Sequence, residues 1–421
     1  MKHLAAGLLS LLLILACGQR KGPDTPQLNR LLTNEMSEVP ELQKMDRELE
    51  RFMQRWNIRG LSLCVMRNDS LLYAKGYGWA DKEKELRMEP GNILRVASVS
   101  KLITAAGIMK LCEQGRLHLD DPVFGPDGIL RDSVFTAAIR DKNYYKITVE
   151  QLLRHEAGFS VRGGDPLFNT PAIIQAYGLD GPPDARTLVR LMLRRRLRFQ
   201  PGSGHEYSNF GYLLLSLIIE QVTGETYEQW MQDEVLRPAG CHDFHLAGNY
   251  YKDRHKGEVR YYMQDNDEPV PEYNGSGREV IRCYGGNDIR GLQGAGAWVA
   301  STPELALFIA SIDGRDGIPD ILSRRSVQAM TEHKDESRFG LGWNETDPAK
   351  GLIRTGSLSG TGALIHYYAD GTCWILVTNT GTWKGPRFAR YTKELCRRLK
   401  TSYGGSFPKR NLFFPERETE R

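Results

Sequence analysis

"GALIHYYADGTCWILVTNT", residues 362–380, reads as two strand-like runs joined at Asp370-Gly371. An Asp-Gly pair takes up the left-handed backbone of a tight hairpin turn, so the stretch predicts an antiparallel β-hairpin. A similar unit lies near the other end of the chain. In "LSLCVMRNDSLLYAKGYG", residues 61–78, Asn68-Asp69-Ser70 separates two apolar runs. Between these β-rich ends the chain is mostly helical and loop-like, with helices near 148–155, 185–196, 209–223, 226–236 and 302–313. Leu42, Met45, Leu49, Phe52, Met53 and Trp56 mark one face of a helix before the first hairpin. Another helix is expected from about Pro386 to Lys400. The layout predicts an α+β fold: one antiparallel sheet from N- and C-terminal strands, flanked by helices, with an inserted mainly helical lobe. A small-molecule site is expected in the cleft between two such lobes.

The 421 residues are 40% hydrophobic and 26% charged, a globular composition with a net charge of +4. That charge is too small for this length to argue for nucleic acid. The basic runs near 194–198 and 397–400 read as helix surfaces. The N-terminus "MKHLAAGLLSLLLILAC" has Lys2 and then an apolar run from Leu4 to Ala16, interrupted by Ser10. It is short for a membrane span and fits a signal peptide, residues 1–16. Ile14-Leu15-Ala16-Cys17 resembles a bacterial lipobox, which implies lipidation at Cys17 and a membrane anchor. Residues 17–40 are expected to be a tether, 41–400 the folded domain, and 401–421 a tail without helical period. Six further cysteines permit disulfides in an exported chain, but their spacing gives no pairing.

"LRVASVSKLIT", residues 94–104, carries Ser98 and Lys101 on a helix that is apolar nearly all round. Such a helix is buried. Burial disfavours an ammonium, and a neutral amine one turn from a hydroxyl can take its proton. Taken alone, the same pair is also a helix-capping serine and a lysine reaching solvent. Further along, Tyr207-Ser208-Asn209 precedes an apolar helix. Tyr207 can serve as acid or base if positive neighbours lower its pKa, and Asn209 can bind a substrate amide. Arg354-Thr355-Gly356-Ser357 begins a strand. A cation at 354 can hold a substrate carboxylate, and the amides of Ser357 and Ser98 can form an oxyanion hole.

S-x-x-K, then Y-x-N, then a basic-T-G triplet, in this order, resembles the serine β-lactamase and penicillin-binding-protein superfamily. The likeness is to its class C β-lactamase, carboxypeptidase and esterase branch. "GRLHLDDPV", "ITVEQLLRHEAGF", "FQPGSGHEYSNFGYLLL", "GAGAWVASTPELALF", "FGLGW" and "RTGSLSGTG" extend it over about residues 45 to 400. The resemblance implies Ser98 as acylated nucleophile, with Lys101 and Tyr207 as its acid/base groups. It implies Asn209 on the substrate amide, and Arg354, Thr355 and Gly356 along the substrate. Position 354 is usually Lys or His in that family, and Arg stays charged. His155-Glu156-Ala157-Gly158 also departs from the family's H-T-S-G loop.

The expected function is an exported serine hydrolase of the cell envelope acting on a D-alanyl peptide, a β-lactam or a small ester. A catalytically inactive envelope protein that binds peptidoglycan or a protein is the alternative; it would be marked by loss of Ser98, Lys101 or Tyr207. No cofactor or metal is needed for this chemistry. "CHDFH", residues 241–245, is read as a loop rather than a zinc site, since no second cluster accompanies it.

Overall fold

The structure is a computed structural model and describes residues 28–264, 268–334, 337 and 339–414. The expected signal peptide and Cys17 lie outside them. The main sheet has seven antiparallel strands: β1 (Gly60–Arg67), β2 (Ser70–Asp81), β3 (Leu86–Arg87), β4 (Glu345–Asp347), β5 (Gly351–Leu358), β6 (Thr361–Tyr367) and β7 (Thr372–Thr378). Their order is β4-β5-β6-β7-β1-β2-β3. The two termini therefore meet in the middle, where Leu61 lies opposite Thr378 and Arg67 opposite Thr372. Both expected hairpins form. Asn68 and Asp69 sit at φ 44° and 60°, and Gly371 at 80°, the left-handed values such turns need.

Five helices matter for the site: α1 (Gln43–Arg55), α2 (Ser100–Glu113), α3 (Asn209–Thr223), α4 (Thr302–Ala310) and α5 (Ala389–Tyr403). Side chains alternate across the sheet. Leu61, Leu63, Leu364 and Leu376 point to one face, where Met45 and Leu49 of α1 and Leu395 and Leu399 of α5 cover them. Cys64, Ile365, Ile375 and Val377 point to the other, into a larger core shared with α2, α3 and α4. Ser62 and Thr302 hydroxyls meet at 2.8 Å and pin α4 to that face.

Several expectations are corrected. The segment read as a tether to residue 40 is folded from Leu28 onward. Leu28 and Leu32 are buried. The Asn29 side chain donates to Asp243 and accepts from Ser301, and Asn34 accepts from the Gly76 amide. The tail is likewise built in to residue 414. The Leu412 amide donates to the Leu71 carbonyl at 2.8 Å, and Leu412 and Phe413 are buried. Apolar pairs within polar stretches tie both ends down, a local signal too weak to read from periodicity. The helix expected over 185–196 ends at Met192, and residues 194–198 follow as an irregular segment. The helix over 226–236 is α-helical at Tyr227–Met231 and widens to a π turn at Gln232–Leu236.

All six described cysteines are free thiols. Cys241 donates to the Glu304 carbonyl, and His245 pairs with Asp243. Among the described residues no group of three His, Cys, Asp or Glu is placed to hold a metal, and no helix is long and apolar enough to cross a membrane.

Candidate active site

Ser98 sits on a 3-10 turn, Ala97–Val99, that runs straight into α2. Ala97 before it is held at φ 50°, a strained conformation for a residue with a Cβ. The turn is fixed from outside: the Val96 amide donates to the Trp298 carbonyl, and the Ser100 hydroxyl accepts from the Trp298 amide. Lys101 lies one turn later and is fully buried, as the apolar helix predicts. Its Nζ faces three oxygens: Ser98 Oγ at 3.3 Å, Asn209 Oδ1 at 2.6 Å and the Ala295 carbonyl at 2.5 Å. Three acceptors satisfy the three protons of an ammonium, so Lys101 tolerates burial without an ion pair.

α3 delivers the next two groups. Ser208 caps this helix, its hydroxyl accepting from the Gly211 amide. The capping role therefore falls to Ser208, which leaves Tyr207 and Asn209 free to reach across the cleft. Tyr207 donates to Ser98 Oγ at 2.8 Å. Asn209 accepts from Lys101 and donates to Asp165 Oδ2 at 2.7 Å. An amide oxygen and nitrogen cannot be told apart by shape, but this pairing assigns them.

β5 closes the third side. Gly356 is the point of nearest approach. A Cβ there would stand 2.4 Å from the Val96 carbonyl oxygen and 3.0 Å from the Ser98 nitrogen, so only glycine lets the strand lie against the Ser98 turn. The Thr355 amide donates to Asn344 Oδ1 at 2.7 Å, on the edge away from β6. Amides alternate between the two edges of an antiparallel strand, so that of Ser357 points to the same free edge. With the Ser98 amide it is a candidate pair of donors for an oxyanion.

Arg354 departs from its expected place. It is fully buried rather than open at the strand edge. Strand alternation explains this: residues 354, 356 and 358 all face the helical lobe. Arg354 Nε donates to the Ser98 carbonyl at 2.7 Å and Nη2 to the Tyr207 hydroxyl at 3.3 Å, while Nη1 has no hydrogen-bond partner among the described residues. The guanidinium is spent on the nucleophile's turn and on Tyr207, not on a carboxylate in solution.

The electrostatics follow from this packing. Burial brings the Lys101 pKa down to about 8; Arg354 adds to the fall and Tyr207 opposes it. Burial alone raises a tyrosine, but Lys101 and Arg354 together outweigh it and bring Tyr207 down to about 8. His155 lies behind Tyr207, their ring centroids 4.5 Å apart. Burial and the nearby Lys101 and Arg354 charges hold it well below the usual histidine range, so it is neutral. Its Nδ1 accepts from the Ser208 amide, which braces the Tyr207–Asn209 segment.

Exchanging Arg354 for methionine removes a cation that lowers both groups. Both pKa values then move up, so the base becomes available only at higher pH. The rising limb of kcat/KM is expected to shift by about one pH unit toward alkali, with about a tenfold loss at pH 7. Arg354→Lys keeps the charge and holds the limb near its wild-type position. A pH–rate profile of the two variants checks this.

The sequence reading thus converges on one place: Ser98, Lys101, Tyr207, Asn209, Arg354, Gly356 and the Ser357 amide surround one cleft edge, and Thr355 stands beside it. Asp165, His155 as a brace and the Ala295 carbonyl were missed. "HEAGF" and "GAGAWVAS" were the available signals for the last two; nothing local marks Asp165.

Comparison with known proteins agrees with this architecture. Protein flp of Staphylococcus aureus (strain MW2) is 29% identical over 236 residues, 55% of this chain and 44% of that protein, so the match spans less than half the relative's length. A putative D-alanyl-D-alanine carboxypeptidase of Escherichia coli O157:H7 is 25% identical over 367 residues, 80% of each chain. Among solved structures, the D-amino acid amidase from Ochrobactrum anthropi SV3, complexed with L-phenylalanine amide, shares the fold with a TM-score of 0.63 at 20% identity, over 86% of this chain and 98% of that one. EstCE1, a hydrolase with promiscuous acyltransferase activity, shares it with a TM-score of 0.62 at 20% identity, over 82% and 94%. The Beta-lactamase family profile matches residues 45–397, and the chain belongs to the β-lactamase family of serine hydrolases.

Proposed function

We propose that the protein is an exported, lipid-anchored serine hydrolase that forms an acyl-enzyme on Ser98 from an amide or ester. One observation carries this reading: Ser98 Oγ lies within 2.8 Å of the Tyr207 hydroxyl and 3.3 Å of Lys101 Nζ, two groups both brought to about 8. Groups poised near ambient pH are the effective proton carriers. Ser98 Oγ attacks the carbonyl carbon while its proton passes to the Tyr207–Lys101 pair. The oxyanion rests on the Ser98 and Ser357 amides. The tetrahedral adduct collapses, the bond to the leaving amine or alkoxide breaks, and the pair returns the proton to it. Water then attacks the ester along the same route in reverse and frees Ser98. Export and the Cys17 anchor are supported by the sequence of residues 1–17. The putative carboxypeptidase, the amidase and the hydrolase with acyltransferase activity named above support an amide or ester substrate, with D-alanyl peptides, β-lactams and small esters as the candidates.

A fluorophosphonate probe tests the nucleophile directly. Native protein is expected to gain one adduct, mapped by mass spectrometry to Ser98. In parallel, turnover is measured on nitrocefin, a D-alanyl-D-alanine peptide and a short-chain nitrophenyl ester. No adduct and no turnover in folded protein would overturn the reading.

A further inference from the structure

Arg194-Arg195-Arg196-Leu197-Arg198 has no place in the mechanism above, and it does not lie on a helix surface. The segment follows the helix Ala185–Met192 and walls a cleft of about 580 Å3. Ser160, Val161, Arg162, Arg196, Leu197 and Arg198 line it, so half of the lining residues are arginines drawn from two separate segments. Both walls are anchored. The Arg198 amide donates to the Gly158 carbonyl at 2.7 Å, and the Leu197 amide to Asp141 at 3.1 Å.

The cleft lies beside the segment that carries Asn209. A narrower pocket shares Ser160, Val161 and Arg196 with it and continues to Asp165, Ser208 and Phe210. Ser208 and Phe210 flank Asn209, and Asp165 is bonded to Asn209, which is bonded to Lys101. The charge around the cleft is only partly neutralised. Arg198 is paired with Glu206. The exposed side chains of Arg162 and Arg196 have no hydrogen-bond or ion-pair partner among the described residues. Asp165, the acid of the narrower pocket, is engaged with a neutral amide. Two unpaired guanidinium forks facing one concavity match an oxyanion group, because each presents parallel N–H donors as well as charge.

We propose that this cleft is the subsite for an oxyanion, a carboxylate or phosphate, carried by the substrate several bonds from the carbonyl attacked by Ser98. The inference rests on the serine-hydrolase reading and sharpens it: the substrate is an acidic amide or ester. The test uses ester-linked peptides that differ at one residue, Gln, Glu or phosphoserine, with that residue moved stepwise away from the scissile ester. At the matching position the full protein is expected to prefer the charged residue about tenfold in kcat/KM, mainly through KM, and to lose the preference between about 20 mM and about 500 mM salt. The double variant Arg162→Gln/Arg196→Gln is expected to bring the charged-to-neutral ratio close to one. Arg55→Gln, on α1 across the sheet, is expected to keep the ratio. Preference for Glu alone assigns the group as a carboxylate, and for phosphoserine alone as a phosphate. A ratio near one at every position, or a preference that survives the double variant, overturns the subsite while Ser98-dependent turnover leaves the hydrolase standing. Turnover of no peptide by protein that still forms the Ser98 adduct overturns the subsite alone; no adduct and no turnover, or turnover that survives Ser98→Ala, removes both.

Discussion

Ser98→Ala is expected to lower kcat/KM by roughly ten-thousand- to million-fold, because it removes the hydroxyl that accepts the acyl group. Lys101→Met is expected to cost nearly as much. Its Nζ holds Ser98, Asn209 and the Ala295 carbonyl together, so the substitution removes a proton carrier and an anchor in one step. The double variant is expected to be no worse than Ser98→Ala alone, since a base without its nucleophile has nothing to activate. Steady-state kinetics on the three variants check the pattern. A thermal melt separates lost chemistry from lost fold. Methionine fits the apolar channel but leaves the Asn209 and Ala295 oxygens without a donor, at about 1–3 kcal/mol for each buried group. Losses that simply added would mean that Ser98 and Lys101 act independently.

Tyr207→Phe is expected to lower kcat/KM by roughly a hundred- to ten-thousand-fold and to change the shape of its pH dependence. In the native protein Lys101 and Tyr207 titrate as a pair around pH 8. At low pH both carry their protons and nothing can receive that of Ser98. At high pH both have lost them and nothing can protonate the leaving group. The profile is therefore a bell with its maximum near 8. Without Tyr207 its descending limb disappears, and Lys101 loses the negative neighbour that raises its pKa. The remaining rising limb then moves to lower pH. A bell that keeps both limbs in Tyr207→Phe would assign the second group elsewhere.

Both hairpins were legible because Asn68-Asp69 and Asp370-Gly371 act within four residues, where turn chemistry depends on little else. Ser98 and Lys101 were legible as a pair because three residues separate them on one helix. Tyr207 and Arg354 reached the site through the order of motifs, not through any local pattern. What local reading missed was made by distant loops. The Ala295 carbonyl comes to Lys101 across 194 residues, and Asp165 meets Asn209 across 44. Arg354 was expected at the strand edge beside the substrate because a cation there can hold a carboxylate. Its register in β5 decided otherwise, and register depends on which neighbour a strand pairs with. The ends of the folded unit were misplaced for a related reason. Leu28, Leu32, Leu412 and Phe413 are apolar residues within polar stretches, and their burial needs a surface built by other segments.

The meeting of β1 with β7 bears on how the chain reaches this state. Residue 61 finds its partner at 378, so the centre of the sheet cannot close until both segments are free to pair. Until then the two hairpins are separate ribbons with unpaired edges, and neither face of the sheet has its full helical cover. Pairing across more than three hundred residues carries a large loop-closure entropy and a high contact order, which makes the sheet a late and slow event. The serine turn leans on β5 through Gly356, so the reactive centre is assembled only when this last joint has formed. An incomplete chain holds all the helices of the inserted lobe and no working nucleophile.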